Sequence, residues 1–307
     1  NVNLTLEQQL TRDTFARASY VGTYGRQLPV RQQQNWAVYV PATSTANNTN
    51  QRRVYAPNYG SIFAYSNGAN SSYHALQVEV NKRFSAGYTF GIAYSYSKAI
   101  DDASTSEVAQ WDFQDPLNRR GSRGLGDYDI RNRLVVSWIW DLPFLRAQKG
   151  ALGRALGGWQ LSGTGGIQDG KPFTVSSGRD NSLRGVGRDR PDVSGDPRLP
   201  TDRPRSELLA AYFDKTKFTM NKPGEYGNVG RNTLVGPGPP LSFSLSLHKR
   251  FAITETKRIG FRCDAFNAFN RTSIGTPNSN LASGGSFGRI TSAGAGRVIQ
   301  MALTFAF

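Results

Sequence analysis

Large and small side chains alternate along several segments of this sequence. In residues 241–247 every odd position is apolar and every even position is serine, and in residues 299–307 the odd positions are again large and apolar. Residues 88–96 alternate in the same way, with the large side chains at even positions. A period of two places successive side chains on opposite faces of a β-strand. The sequence therefore predicts an all-β protein whose strands have one apolar face.

The same pattern, in strong or weak form, predicts nine strands. They cover residues 2–10, 13–24, 72–84, 87–98, 130–141, 157–169, 241–251, 257–268 and 297–307. Segments of about ten residues are long enough for a tilted strand to cross a bilayer. No run of apolar residues approaches the length of about 18 that a membrane helix needs.

The composition distinguishes a soluble β-sandwich from a membrane barrel. Only 38% of the residues are hydrophobic and the mean hydropathy is −0.48, yet the chain contains 13 Tyr, 17 Phe and 5 Trp. A soluble sandwich has charged residues opposite its apolar face, whereas the second face here is often Gly, Ala, Ser or Thr. Aromatic residues lie near the strand ends, as in the girdles of outer-membrane barrels. We therefore predict part of an antiparallel transmembrane β-barrel in the cell outer membrane.

The connectors between the predicted strands alternate between short and long. The short ones are residues 11–12, 85–86, 143–156 and 252–256, and the long ones are 25–71, 99–129, 170–240 and 269–296. Within the long ones, residues 61–65 and 172–175 have the pattern of local strands. Outer-membrane barrels combine short periplasmic turns with long extracellular loops. The connectors therefore favour the barrel over a soluble domain, which rarely has several such long loops.

The connectors also give the strands a direction. If Phe307 ends at the periplasm, strand 2–10 runs inward from the extracellular side. A complete single-chain barrel normally has an even number of strands and both ends in the periplasm. Nine strands that start outside meet neither expectation. We expect the chain to be the C-terminal portion of a larger barrel, and the alternative is that one strand lacks the pattern.

Several blocks of sequence resemble a known family. The most specific blocks are residues 227–238 (GNVGRNTLVGPG) and 261–270 (FRCDAFNAFN). Residues 72–77 (SYHALQ), residues 94–102 (YSYSKAIDD) and the aromatic C-terminus also fit. With these blocks, the chain resembles the TonB-dependent receptors of the Oar-like type at intervals over most of its length.

The resemblance implies a barrel of about 22 strands closed by an N-terminal plug. It also implies transport driven from the inner membrane through a TonB box near the N-terminus. Neither part is expected within residues 1–307, which would form the C-terminal barrel portion. The implied partners are outer-membrane lipid, the N-terminal barrel and plug portion, the TonB complex through that portion, and an unknown bulky solute. The barrel-assembly machinery would recognise the terminal aromatic strand with Phe305 and Phe307.

Charge and reactive residues point to no other class of site. The formal net charge is +15, but basic clusters such as Arg119-Arg120 and residues 184–190 lie in predicted loops, which indicates solvated loops and no nucleic-acid partner. The acidic residues Asp101, Asp102, Glu107, Asp112 and Asp115 are likewise interpreted as solvated charge, because their spacing matches no calcium loop. Cys263, His74 and His248 have no partners at metal spacing, so no metal or cofactor is predicted. No nucleophile motif is present, and an enzyme is not predicted.

The candidate functional residues face the predicted lumen. They are Gln77, Glu79, Asn81 and Arg83 on one strand, with Arg258, Arg262 and Asp264 on another. Among loop aromatics, contact with a carbohydrate or peptide is a hypothesis for Tyr55, Tyr59, Trp111 and Phe113. The predicted function is a receptor or transporter for a carbohydrate, peptide or chelate. Two alternatives stay open: a structural or adhesive barrel that displays loops, and a soluble basic β-protein that binds nucleic acid.

Overall fold

The computed structural model describes residues 1–104, 113–145, 148–252 and 257–306. Within these ranges the strands are β1 Val2–Gln9, β2 Thr14–Gln33, β3 Phe63–Ser85, β4 Tyr88–Asp101, β5 Gly124–Leu125, β6 Asn132–Asp141, β7 Trp159–Gln168, β8 Pro172–Phe173, β9 Asp192–Val193, β10 Phe218–Thr219, β11 Leu234–Val235, β12 Ser242–Ala252, β13 Arg258–Phe266 and β14 Val298–Ala306. The helices are α1 Gly150–Leu156 and α2 Arg205–Ala210, with 3-10 turns at Asn50–Arg52, Arg119–Ser122, Lys215–Lys217 and Leu281–Ser286. In the described ranges no helix is long and apolar enough to cross a membrane.

One antiparallel sheet contains all the long strands. Its order is β1-β2-β3-β4-β6-β7-β12-β13-β14, and β5 pairs with β4. Each long strand lies beside the next one along the chain, and β7 and β12 are neighbours although residues 169–241 separate them. The nine predicted strands are therefore confirmed, with ends close to those expected except in one hairpin. Within the described residues, β1 and β14 are the two edges of the sheet.

That hairpin, β2–β3, extends well beyond the predicted strands 13–24 and 72–84. The register shifts between Gly25 and Leu28, where Gln27 has a φ of 53°. Beyond the shift, pairing continues as far as Gln33 opposite Phe63. The composition of this segment indicates a loop, but a β-bulge absorbs the extra residues and lets the ladder continue. The prediction of residues 25–71 as one loop was thus wrong at both of its ends.

The connectors at the two ends of the sheet differ. At one end they are residues 10–13, 86–87, 142–158 and 253–257; at the other they are residues 34–62, 102–131, 169–241 and 267–297. We call the described parts of the four long connectors the loop layer. The predicted alternation of short and long connectors is confirmed. The connector predicted as residues 143–156, however, contains helix α1.

The sheet has an apolar face and a mostly polar face. On β14 the apolar face presents Ile299, Met301, Leu303 and Phe305. In register with them on β13 are Ala265, Cys263, Phe261 and Ile259. Directly paired residues of an antiparallel sheet share a face, so the register extends both faces across every strand. The alternation in the sequence thus corresponds to two distinct surfaces.

The main apolar core lies in the loop layer and not in the sheet. Its buried members are Val175, Phe213, Phe218, Val229, Leu234 and Phe287. The ring of Phe213 lies with its centroid 5.1 Å from that of Phe287 and 5.5 Å from that of Phe218. The short pairs β8–β11 and β9–β10 lie within this layer and contribute Leu234 and Phe218 to the core. The long loops are therefore packed against each other.

Candidate functional site

The polar face of the sheet contains a row of charges across its first three strands. Arg17 of β2 lies between two glutamates, 3.0 Å from Glu7 of β1 and 3.7 Å from Glu79 of β3. Glu7 and Glu79 are both directly opposite Arg17 in the register. All three side chains are partly exposed, so this row stabilises the sheet only weakly. Its main consequence is a charged, hydrated surface.

A second polar cluster lies on the same face at the other side of the sheet. Asp264 of β13 accepts a hydrogen bond from Ser246 of β12 and forms an ion pair with Arg262 at 2.7 Å. His248 lies 2.7 Å from the hydroxyl of Ser246 through its Nε2 atom. Arg262 and His248 are directly opposite each other in the register. The cluster joins two strands by side chains as well as by the backbone ladder.

The polar face forms an open trough of about 570 Å³ that includes members of the second cluster. Its lining extends from Phe15 on β2 to Arg262 on β13, so this face of the sheet is concave. The polar side chains that line it are Asn81, Arg83, Thr89, Ser137, Ser162, Thr164, Ser244, Ser246, Arg262 and Asp264. Phe15, Ile139 and Phe266 of the same face add apolar surface to the lining. Hydroxyl and amide groups offer many weak contacts to hydrated solutes, and Arg83, Arg262 and Asp264 add charged groups.

The trough brings together four of the seven lumen candidates. Asn81 and Arg83 come from β3 and its end, and Arg262 and Asp264 come from β13. Gln77 and Glu79 lie on the same face of β3 as Asn81 but earlier in the strand, outside the trough lining. Arg258 lies at the start of β13, also outside it. The prediction that the candidates of each strand share a face is confirmed. The sequence did not indicate that the two strands contribute to one trough.

The loop layer is held together by the buried side chain of Arg231. Its guanidinium donates hydrogen bonds to the carbonyl oxygen of Asp101 at 2.7 Å and to that of Ser122 at 2.8 Å. It also forms an ion pair with the Asp101 carboxylate, and both side chains are almost fully buried. Ser104 accepts a further hydrogen bond at 3.0 Å. One arginine of residues 169–241 therefore binds the connector of residues 102–131 and the end of β4.

Asn232 and Arg190 extend this contact. Asn232 donates to the carbonyl oxygen of Leu125 at 2.7 Å and to the carboxylate of Asp127 at 2.6 Å. Arg190 donates to the hydroxyl of Ser122 at 2.8 Å. Arg231 and Asn232 belong to the block of residues 227–238 that the family resemblance singled out. That block, through its resemblance to a known family, was the one sequence signal for these residues.

The structure corrects the prediction of solvated charge for four residues. Asp101 and Asp102 are buried; Asp101 is paired with Arg231, and Asp102 forms an ion pair with Arg123 at 3.3 Å. Arg190 is buried in the loop layer, as is its neighbour Asp189. Glu107 and Asp112 lie outside the described residues. Across the described ranges no group of three His, Cys, Asp or Glu side chains could hold a metal ion.

Asp189 is the centre of another buried polar group. It accepts hydrogen bonds from the amide and the hydroxyl of Ser182, and from the side chain of Asn221 at 3.2 Å. Burial raises the pKa of Asp189, although the bonds from Ser182 and Asn221 oppose that rise. Burial also raises the pKa of the Tyr226 phenol in the same layer. The layer therefore contains ionisable groups that are separated from water.

The loop aromatics divide into two kinds. Phe113 is buried against Val30 of β2 and Ala69 of β3, so the hypothesis that it contacts a solute is wrong: it packs onto the extended hairpin of the sheet. Tyr55 and Tyr59 are exposed and stay available for such a contact. Trp111 lies outside the described residues. Exposed aromatic rings on an ordered layer suit carbohydrate or peptide surfaces.

The terminal strand presents its aromatic residue outward. Phe305 lies on the apolar face of β14, opposite Ile259, and is 54% exposed. Phe307 lies outside the described residues. The role of both in recognition by the assembly machinery stays a prediction.

Comparisons with known proteins agree with this geometry. The profile of a family described as outer membrane beta barrel domain matches residues 1–300. The outer membrane transporter YddB from Escherichia coli matches with a TM-score of 0.52 and 11% identity, over 99% of this chain and 32% of that one. The FpvAI–pyocin S2 complex matches with a TM-score of 0.38 and 10% identity, over 99% and 33%.

The chain thus spans about a third of the transporter that it matches in fold. No curated protein sequence matches it. An outer-membrane location follows from the family and excludes the soluble nucleic-acid-binding alternative. The chain belongs to the outer membrane beta barrel domain family.

Proposed function

We propose that this chain forms part of the wall and loops of an outer-membrane receptor that takes up a bulky solute with energy from the TonB complex. The observation that carries the proposal is a concave polar wall that ends in a packed loop layer. A polar interior suits a water-filled or plugged lumen. Ordered loops at the mouth of such a lumen can select a solute, as binding loops on rigid scaffolds do.

The wall belongs to a larger barrel in this proposal. Within the described residues, β1 and β14 each pair on one side only. A bare edge in lipid would leave backbone N–H and C=O groups without partners. We therefore infer that strands of a parent protein pair with both edges, and that the same N-terminal part supplies the plug and the TonB box. The sequence blocks 227–238 and 261–270 support an Oar-like parent.

The proposed orientation puts the short connectors in the periplasm and the loop layer outside the cell. The asymmetry of the connectors supports it, because outer-membrane barrels have short periplasmic turns. The terminal strand with Phe305 and Phe307 would then meet the assembly machinery from the periplasm. No chemical step is assigned to the chain, which would bind and conduct a solute without changing it.

Uptake by cells tests the transport proposal. The parent gene is disrupted, and uptake of a fluorescent oligosaccharide, a fluorescent oligopeptide and a ferric chelate is measured. We expect loss of uptake of one probe, recovery on complementation, and inhibition by a protonophore. The matched control complements with a gene whose TonB box is deleted, which should restore surface display but not uptake.

The display alternative predicts a different result. A structural or adhesive barrel would leave uptake of all three probes unchanged in the disrupted strain, while adhesion to surfaces would fall. That outcome, with the protein detected at the cell surface of the complemented strain, would overturn the transport proposal.

A further inference from the structure

The connector between β6 and β7 differs from its companions at the same end of the sheet. Residues 10–13 and 86–87 are tight turns, whereas residues 142–158 contain helix α1. Backbone bonds make this connector compact, since the amide of Gly157 donates to Gly153 at 2.8 Å and that of Gln148 donates to Leu145 at 2.9 Å. Periplasmic turns of outer-membrane barrels are short. An ordered helix at this end calls for a separate explanation.

The connector is both basic and apolar at its surface. From Leu142 to Gly158 the sequence contains Arg146, Lys149 and Arg154 and no acidic residue. Lys149 and Arg154 are exposed. The exposed apolar residues of the connector are Phe144, Leu145, Leu152 and Leu156, of which Leu152 is 68% exposed. A group of exposed leucines and a phenylalanine beside cations is typical of segments that lie at a membrane surface.

Lys249 fixes the position of this helix on the outer side of the wall. In β12 it lies between Leu247 and Phe251 on the apolar face, directly opposite Trp159. Its ammonium donates to the carbonyl oxygens of Ala155, at 3.0 Å, and Gly157. A cation is favourable at the carbonyl end of a helix. The last turn of α1 therefore rests against the lipid-facing side of the sheet, not against the lumen.

Aromatic rings surround this contact. The Lys249 ammonium lies 5.0 Å from the Trp159 ring and 4.8 Å from the Phe251 ring. The indole N–H of Trp159 donates to the carbonyl oxygen of Ala155 at 3.2 Å. Trp rings are enriched where membrane and water meet. The helix is thus held at the rim of the lipid-facing belt, and its apolar side chains are continuous with that belt.

We propose that residues 142–158 bind anionic phospholipid headgroups at the membrane surface. Phe144, Leu152 and Leu156 enter the boundary between headgroups and acyl chains, while Lys149 and Arg154 contact the phosphates. A lipid occupant is favoured over a protein because the site is continuous with the lipid-facing surface and has only positive charge. In the orientation proposed above, these headgroups belong to the periplasmic leaflet. That assignment rests on the proposed function, but the lipid contact does not.

Fluorescence quenching by brominated lipids tests this site. The parent protein carries Ala151→Cys in a Cys263→Ser background, is labelled with an environment-sensitive dye, and is reconstituted in nanodiscs. Quenching by brominated phosphatidylglycerol is compared with quenching by the same fraction of brominated phosphatidylcholine. We expect phosphatidylglycerol to quench more strongly, because each cation near an anionic surface contributes about fivefold in affinity.

The variant K149Q/R154Q should lose most of that preference, a fall of about tenfold or more. The matched control R179Q/K222Q removes two exposed cations of the loop layer and should keep the preference. Heat-modifiable migration on a gel checks that each variant is folded. Since uptake of solute is a separate measurement, failure here is distinguishable from failure of the transport proposal.

Three results would overturn the inference. The first is a dye that emits as in water and is quenched by neither lipid. The second is equal quenching by both lipids that K149Q/R154Q leaves unchanged. The third is a dye that becomes shielded only when a soluble periplasmic extract is added, which would identify a protein as the occupant.

Discussion

Leu303 in the sheet is 77% exposed, whereas Phe213 in the loop layer is 1% exposed. The sheet directs large apolar side chains outward, whereas the loop layer buries a set of them in a core of its own. Lipid surrounds the sheet in an outer-membrane barrel, so its apolar face needs no protein partner. The loop layer meets water and is stabilised by apolar burial, as a soluble domain is.

Charges show the same contrast. In the sheet, Arg17 and its two glutamate partners are partly exposed on the polar face. Where the loop layer meets the end of β4, Arg231 and Asp101 are both buried and form an ion pair. Removal of one partner from a buried pair leaves an unpaired charge in a medium of low dielectric constant. The loop layer should therefore respond sharply to changes that the sheet tolerates.

The largest effect is expected for Arg231→Met. The change leaves the buried Asp101 carboxylate unpaired, which should destabilise the loop layer by about 3–5 kcal/mol. We expect faster hydrogen exchange and proteolysis throughout the loop layer, measured by mass spectrometry, with the protection of β12 and β13 unchanged. The exposed Arg179 provides a control, since Arg179→Met should leave hydrogen exchange and proteolysis unchanged in both the loop layer and the strands.

A double variant sharpens this prediction. D101N/R231M removes both charges, so it should recover part of the protection that Arg231→Met loses. If instead Arg231→Met exposed the strands and the loops together, the sheet and the loop layer would form one cooperative unit. The inference that the loop layer is stabilised separately from the sheet would then be wrong.

The strands were predictable from the sequence, and the interior of the loop layer was not. A strand can be recognised from local sequence, because side chains two residues apart share a face, as those of Ile299 and Met301 do. Arg231 and Asp101 are 130 residues apart, and no local period links them. Their burial depends on how separate loops meet. Single-sequence patterns therefore describe Asp101 as a loop charge, which is the wrong environment.

Other errors have local causes. The extension of β2 to Gln33 and of β3 to Phe63 depends on a bulge, which leaves no sign in the alternation. Helix α1 has seven residues, too few for a clear helical period. The shared faces of Asn81 and Arg262 followed from period two. The trough between them depends on the curvature of the sheet.

The next largest effect is expected for a charge on the apolar face. Val136 lies near the middle of β6, opposite Ile92 and Gly165. Val136→Arg would put a cation in the bilayer, at a cost of about 2–4 kcal/mol near the midplane. Its neighbour Ser137 lines the trough on the other face, so Ser137→Arg should cost little. Urea unfolding of the parent protein in lipid vesicles measures both.

That pair of variants also tests which face meets lipid. Equal destabilisation by both substitutions would contradict the assignment of the two faces. A larger loss for Ser137→Arg would reverse it, and the proposed lumen would then lie on the wrong side of the sheet.

The smallest effect is a response to pH that has opposite signs at the two ends of the molecule. Hydrogen bonds from Lys82, Ser85 and Thr11 hold the pKa of Asp13, in the turn before β2, well below its usual range. Burial raises the pKa of Asp189 in the loop layer. A lowered pKa stabilises the fold above the unfolded value of about 3.9, and this stability is lost as the pH falls toward the folded value.

Asp189 follows the opposite rule. Its stabilising contribution is fully present below about pH 3.9 and is lost as the pH rises through its raised folded pKa. When the pH falls from neutral to about 3.5, protection around Ser182 should therefore increase, while protection of the turn at Thr11 should decrease. Hydrogen exchange, corrected for the intrinsic rate at each pH, measures both segments in one sample. Asp189→Asn should abolish only the increase in protection around Ser182, because it removes that carboxyl and leaves Asp13 and its partners in place. A change of the same sign at both segments would show that burial in the loop layer does not set the ionisation of Asp189.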